Sequence, residues 1–207
     1  MLDFGHREAG KFDGMNAMRW LMRFWVMCLG VILTGCSGFA DAIEFADAAS
    51  EARDRAARVN AMANTSIISM PDSGSVLYTG HATLAYATGG ADFRLLGQAR
   101  VTADFQTGVV DGRADGFFGG SNGADVQSYA GALTFDGRIG VRRANSFDAM
   151  VTGELSGSGQ VLTVNGPLLG SFRGAGAGAI SAATNPLLEA TLNGAPTEAR
   201  VRLTAER

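Results

Sequence analysis

Side chains able to do chemistry are few in this sequence, and most sit in short glycine-containing settings. Cys36 ends the tetrad Leu33-Thr34-Gly35-Cys36, directly behind the apolar run Phe24 to Ile32. Small residues directly behind an apolar segment suit signal-peptide cleavage at that point. Asp72 heads Asp72-Ser73-Gly74-Ser75. Two such carboxylates sharing one proton perform acid–base chemistry; with one copy per chain the pair would need two chains, and Asp-Ser-Gly is equally a plain turn tripeptide. His81 has no further histidine or cysteine after Cys36 to join it, so a transition-metal site lacks its usual ligands and no metal is expected. Gly119-Gly120-Ser121-Asn122-Gly123 has the letters of a nucleophile elbow, yet no histidine follows Ser121 to act as base. Gly174, Gly176 and Gly178 are spaced like a phosphate cradle but precede neither a lysine nor a helix start. The densest charged cluster is Arg138, Arg142 and Arg143 beside Asp136, either a ligand-binding patch or a solvated hairpin. With no acid–base pair in prospect, neither enzymatic activity nor a cofactor is expected.

The elements that carry these residues fall into three parts. Residues 1–14 are mostly polar, so Met1 reads as an over-long start, and Met15 or Met18 opens a segment with Arg19 and Arg23 ahead of the apolar run. That run is shorter than the ~20 apolar residues a membrane-spanning helix needs. The order of positive charge, apolar run and Leu-x-Gly-Cys resembles the signal peptide and lipobox of bacterial lipoproteins; the alternative is an N-terminal helix with an incidental cysteine. The resemblance implies that residues 1–35 are removed as a signal peptide, and that Cys36 takes diacylglycerol and fatty acyl chains such as palmitate. The protein would then be anchored to the cell envelope, at the outer membrane, without crossing it. Cys28 and the sole lysine, Lys11, would leave with the signal.

The chain has 207 residues, a net charge of -3 and 46% hydrophobic residues. That is apolar enough to fold, and too close to neutral for a domain that binds nucleic acid through its phosphates. Between Asp41 and Met62 the sequence is alanine-rich, with Asp41, Glu44 and Asp47 early and Arg53, Arg55 and Arg58 late, an order that complements a helix dipole. Ile43, Ala46, Ala49, Ala52, Ala56, Val59 and Met62 form a thin apolar stripe. We read residues 36–74 as a lipid-anchored tether, partly helical or otherwise a flexible spacer, ending in a polar linker. From Ser75 to the end, residues 75–207, apolar and polar residues alternate with period two between glycine turns. This predicts an all-β fold of 8 to 10 antiparallel strands, a barrel or a sandwich. Gly89-Gly90, Gln106-Thr107-Gly108, Asp136-Gly137, Asn165-Gly166 and Asn193-Gly194 are the expected breaks or turns.

The strands Val101-Thr102-Ala103-Asp104-Phe105 and Val110-Asp111-Gly112 resemble the β-barrel of transferrin-binding protein B and related surface lipoproteins. Tyr129-Ala130-Gly131, Gly153-Glu154-Leu155-Ser156-Gly157 and Gly170-Ser171-Phe172-Arg173-Gly174 continue the likeness from about Tyr78 to Arg207. After Gly174 the chain departs from the family, with Ala175-Gly176-Ala177-Gly178-Ala179 in place of a short acidic turn. The resemblance implies an eight-stranded barrel on a lipid tether that binds a protein or small molecule through its loops or face. Two alternatives stand beside it. One is a lipocalin-like carrier of an apolar ligand, with Ala85, Ala103 and Ala132 leaving internal space. The other is an aspartic-type protease using Asp72, because Asp72-Ser73-Gly74-Ser75 is similar to that family's signature and Leu95-Leu96-Gly97 and Leu168-Leu169-Gly170 to its supporting element. A purely structural envelope protein is a third class.

Overall fold

Alternation after Ser75 is realised as ten strands among the described residues. These are β1 (Ser75–Thr88), β2 (Ala91–Asp104), β3 (Val109–Ser121), β4 (Ala124–Ile139) and β5 (Ser146–Gly157), followed by β6 (Gln160–Arg173), β7 (Ala179–Thr184), β8 (Glu189–Leu192), β9 (Ala195–Thr197) and β10 (Ala199–Glu206). The structure, a computed structural model, describes residues 37–121, 124–184 and 188–207; the expected signal segment and Cys36 lie outside them. From β1 to β6 each strand pairs antiparallel with the next. Along Leu168–Arg173 β6 pairs with β7, and along Leu162–Asn165 with β8, so β7 and β8 are two segments of one stave. Pro167, with no N–H to donate, lies where β6 passes from one segment to the other. β10 pairs with β7 on one side and with β1 on the other, from Thr79 opposite Glu206 to Tyr86 opposite Ala199. The sheet thus closes into an antiparallel barrel of eight staves.

Inward side chains fill this barrel. Tyr78, Leu84, Leu133, Val151, Leu168 and Phe172 are each 0% exposed, so no water-sized space adjoins them. Phe172 is the centre of an aromatic cluster, with ring centroids 5.5 Å from Phe147, 5.3 Å from Phe105 and 6.3 Å from Tyr78. The Tyr78 hydroxyl donates to the Ala177 carbonyl at 2.7 Å, which satisfies its one polar group. Outward positions such as Gln98, Arg100 and Arg202 are polar and exposed, a wall suited to water rather than to lipid.

Two expected turns are strand interiors. Asp136-Gly137 lies within β4, where Gly137 pairs with Val110 and Ala149, and the connection to β5 comes after Ile139. Gly137 is needed for close approach, because a Cβ there would meet the Asp148 carbonyl and Ala149. Asn165-Gly166 lies within β6, and a Cβ at Gly166 would stand 2.8 Å from Leu188. At Asn193-Gly194, by contrast, φ values of 51 and 81 make the expected tight hairpin between β8 and β9.

The segment 36–74 holds helix α1 (Ser37–Ala61), and this helix packs along the outer barrel wall rather than standing clear of it. Residues Ala40–Arg207 form one compact unit. The buried positions of the helix are Phe45 and Val59, while Ile43 and Ala46 of the expected stripe are exposed. The Phe45 ring meets Phe118 of β3 edge to face at 5.6 Å. Beneath the helix, Leu96 of β2 is an outward residue only 3% exposed. Beyond α1 the linker is stitched to the barrel end: the Thr65 N–H donates to the Phe172 carbonyl at 2.9 Å and Asn145 Nδ2 to the Thr65 carbonyl at 2.7 Å.

Gly170 lies under the ring of its cross-strand partner Phe147, where a Cβ would enter the ring's van der Waals volume. Gly170→Ala is expected to cost about 1–3 kcal/mol through overpacking, and Phe147→Leu in the same chain to recover part of that loss. Urea unfolding of the single and double variants measures both; losses that simply add would rule out the contact as the cause.

Candidate functional site

Closure of the barrel puts three positions of adjacent strands in one row on its outer face. Ala85 of β1 is opposite Arg94 of β2 on one side and opposite Arg200 of β10 on the other. With neighbouring strands ~4.8 Å apart, the two arginines start ~10 Å from each other across the small alanine. Over this row passes α1, whose Ala42, Phe45, Ala46, Ala49 and Arg53 form the opposite side of a groove of about 640 Å³. On the inward side of the same wall, Phe93 and Tyr86 pack into the core with their rings stacked at 4.9 Å and 11°. The Tyr86 hydroxyl donates to Gln160 Oε1 at 2.9 Å and lies 3.5 Å from the Tyr129 hydroxyl. Burial first, then the bond to Tyr129, pushes the Tyr86 phenol far up, so it stays neutral. Asp92 and Glu198 complete the charged lining. Among the described residues no carboxylate lies within ion-pair distance of Arg53, Arg94 or Arg200. Arg53 Nε donates only to the Ala49 carbonyl of its own helix, at 3.0 Å.

Further along the same seam, His81 of β1 is held by the helix. Arg55 Nη1 lies 3.3 Å from His81 Nδ1, so the guanidinium donates and Nδ1 accepts, leaving the ring proton on Nε2. Arg55 also reaches Glu51 at 3.1 Å and Glu206 at 3.5 Å, and Arg58 reaches Glu206 at 3.3 Å. Burial, then the Arg55 charge, holds the His81 pKa below its ordinary 6.5, with Glu51 opposing. His81 therefore belongs to the helix–barrel contact.

Other residues singled out by type are spread over the fold. Arg138, Arg142 and Arg143 are exposed at the end of β4 and in the connection to β5. Arg142 is committed to Asp148, with Nε at 2.8 and 3.0 Å from the two carboxylate oxygens and Nη2 at 2.7 Å. Asp72 is exposed in the bend before β1, where the Ser73 hydroxyl donates to its Oδ1 at 3.4 Å. Of the residues expected to support it, Leu95 and Leu168 are buried inside the barrel instead. Ser121 ends a strand followed by another strand, without the helix a nucleophile elbow requires. The Gly176 carbonyl accepts from Arg207 Nη2 at 2.9 Å, and the Gly178 carbonyl from the Arg207 N–H at 3.2 Å, which makes this turn a clasp for the chain's last residue. Of the three alanines expected to leave internal space, only Ala103 faces the filled core; Ala85 faces the groove and Ala132 alternates outward beside Leu133. The groove itself was not foreseen: its arginines lie on a helix and two strands far apart in sequence, and no local motif marks them.

No protein-family model matches the sequence, and no curated protein matches it. Among solved structures, the chain is similar to a double mutant of the vaccine antigen transferrin-binding protein B from Haemophilus parasuis. The TM-score is 0.47 at 12% sequence identity, over 69% of this chain and 27% of that one. The chain therefore spans about a quarter of that protein's length.

The direction of the His81 shift gives a pH dependence with a definite sign. Because the folded-state pKa lies below the unfolded 6.5, the unfolded chain binds more protons in that window. The contribution to stability is full above 6.5 and is lost as pH falls through the lowered value. Urea midpoints measured from about pH 7.5 down to about pH 5 are expected to decline, and His81→Gln to flatten that decline. An unchanged slope in the variant would exclude His81 as its source.

Proposed function

We propose that this chain is a lipid-anchored, non-enzymatic binding module of a bacterial envelope, at the outer membrane, that takes a protein or small-molecule partner on the outside of its barrel. The observation that carries this reading is the division between a filled interior and an open outer groove. Interior positions such as Tyr78, Leu84, Leu133 and Phe172 are 0% exposed, so the volume a carried apolar ligand would occupy is taken by side chains. The groove of about 640 Å³ beside α1 instead combines apolar helix residues such as Ala42, Ala46 and Ala49 with arginines and opens to solvent-exposed wall. Such a mixture of apolar surface and a few convergent polar groups is typical of binding sites.

Anchoring rests on the sequence: positive charge, apolar run and Leu33-Thr34-Gly35-Cys36 in that order. No helix among the described residues is long and apolar enough to cross a membrane. Acyl chains on Cys36 would supply attachment at ~0.8 kcal/mol per buried CH₂, enough for firm holding when more than one chain is attached. The resemblance of the strand sequences to transferrin-binding protein B barrels fits a role in binding.

In a bacterial host fed radiolabelled palmitate, the wild-type chain is expected in the membrane fraction carrying label, and Cys36→Ser unlabelled in the soluble fraction. Equal labelling of the two would overturn the anchor. Cross-linking in envelope extracts is expected to recover a specific partner with the wild-type chain and to lose it with the Arg94→Glu/Arg200→Glu variant. Recovery of nothing specific would overturn the binding reading.

A further inference from the structure

We propose that the groove between α1 and the β2–β1–β10 wall holds the phosphodiester headgroup of an anionic phospholipid, drawn from the membrane in which the chain is anchored. This inference rests on the reading of the chain as lipid-anchored at Cys36, and adds to it a lipid-binding site on the barrel wall.

Arg53, Arg94 and Arg200 come from α1, β2 and β10, and all line one groove of about 640 Å³. The strand register sets Arg94 and Arg200 on either side of Ala85, whose small side chain leaves the space between them open, while Arg53 belongs to the helix opposite. Three like charges in one groove repel each other, and no described carboxylate is within ion-pair distance of any of them. An anion relieves that repulsion. A guanidinium is a rigid fork of N–H donors that receives two oxygens of a phosphate at once, and basic groups clustered close to a membrane recognise lipid headgroups in this way.

The remaining lining sets the charge of the ligand, and chain length sets where it comes from. Asp92 and Glu198 leave the groove with a formal charge near one positive unit, which suits the single negative charge of a phosphodiester rather than a polyanion. Asp41, Glu44 and Asp47 are exposed on α1, so this side of the molecule is not drawn to anionic surfaces in general and selection falls to the groove. The helix side of the groove is Ala42, Ala46 and Ala49, short apolar side chains along which the glycerol and first methylenes of a lipid can lie. Cys36 is six residues before Ala42, so at ~3.5 Å per residue it is never more than ~21 Å from that wall, whatever the conformation between them. A tether this short presents headgroups at an effective concentration of about a millimolar or more, so even a weak site is occupied. Acyl chains and headgroup contact then act as two attachments, the second setting how the barrel is turned toward the surface.

The test uses the full chain extracted in a neutral detergent, with phosphatidylglycerol and phosphatidylcholine supplied in equal amounts and bound lipid counted by native mass spectrometry. One phosphatidylglycerol per chain is expected, favoured by about tenfold or more over phosphatidylcholine, whose trimethylammonium group the arginines repel. Arg94→Gln/Arg200→Gln, with its fold checked by circular dichroism, is expected to weaken that binding by about tenfold or more. Arg138→Gln/Arg143→Gln, at the other end of the barrel, is expected to bind as wild type. Equal occupancy by the two lipids, or Arg94/Arg200 variants that bind as wild type, would overturn the inference. Inorganic phosphate at the same concentration is expected to leave the lipid in place; displacement would make free phosphate the ligand and overturn the lipid assignment. The Cys36→Ser chain separates the site from the anchor. If it holds phosphatidylglycerol while the wild-type chain carries no palmitate, only the anchor fails; if the wild-type chain carries palmitate but holds no phosphatidylglycerol, only the site fails.

Discussion

Pairing between the first and last strands is the constraint on which the rest of the molecule depends. An antiparallel sheet of this length would otherwise expose two edges, each a row of unpaired N–H and C=O groups. With β10 seated against β1 from Tyr86–Ala199 to Thr79–Glu206, both edges vanish and one face of every stave turns inward. The same register decides the outer face. It places Arg200 and Arg94 on either side of Ala85, and brings Glu206 within reach of Arg55 and Arg58. A slip of one residue would turn the groove arginines into the core.

Closure around so few staves leaves an interior that must be filled by large rings at some levels and by nothing at others. Phe147 and Phe117 solve this by lying over Gly170 and Gly97, each ring occupying the place where a Cβ would stand. Phe172 joins the aromatic cluster to the linker that follows the helix, because its main-chain carbonyl and N–H are both bonded across the barrel end. Packing inside and docking outside are therefore mechanically joined at that end.

On the outer wall, α1 buries a second and smaller apolar contact. Phe45 against Phe118, with Leu96 beneath, and the fully buried Val59 fasten the helix at two levels. Burial of such side chains contributes about 1.5–3 kcal/mol each, more than the partly exposed ion pairs around Arg55 and Glu206 offer once solvent screening is counted. The ion pairs orient the seam, while the apolar anchors hold it. Between the anchors the helix presents alanines, and that short-side-chain stretch is what leaves the groove open.

The antiparallel all-β class and the Asn193-Gly194 hairpin were legible in the sequence, because alternation with period two and a left-handed dipeptide are local properties of the chain. So was helical character from Asp41 to Met62. Asp136-Gly137 and Asn165-Gly166 were misread as turns: glycine serves both for turning and for close approach, and only the neighbouring strand distinguishes the two. The helix stripe was placed one residue off its buried face at Phe45, since the face that buries is chosen by Phe118 and Leu96 on the barrel wall. Arg138, Arg142 and Arg143 stood out by being adjacent in sequence, whereas Arg53, Arg94 and Arg200 did not. The sequence by itself determined the all-β class and which side of each strand is apolar, because those follow from side-chain alternation. Only the tertiary structure decided that the helix lies on the wall and that three distant arginines share a groove, because both depend on the register of β1 between β2 and β10.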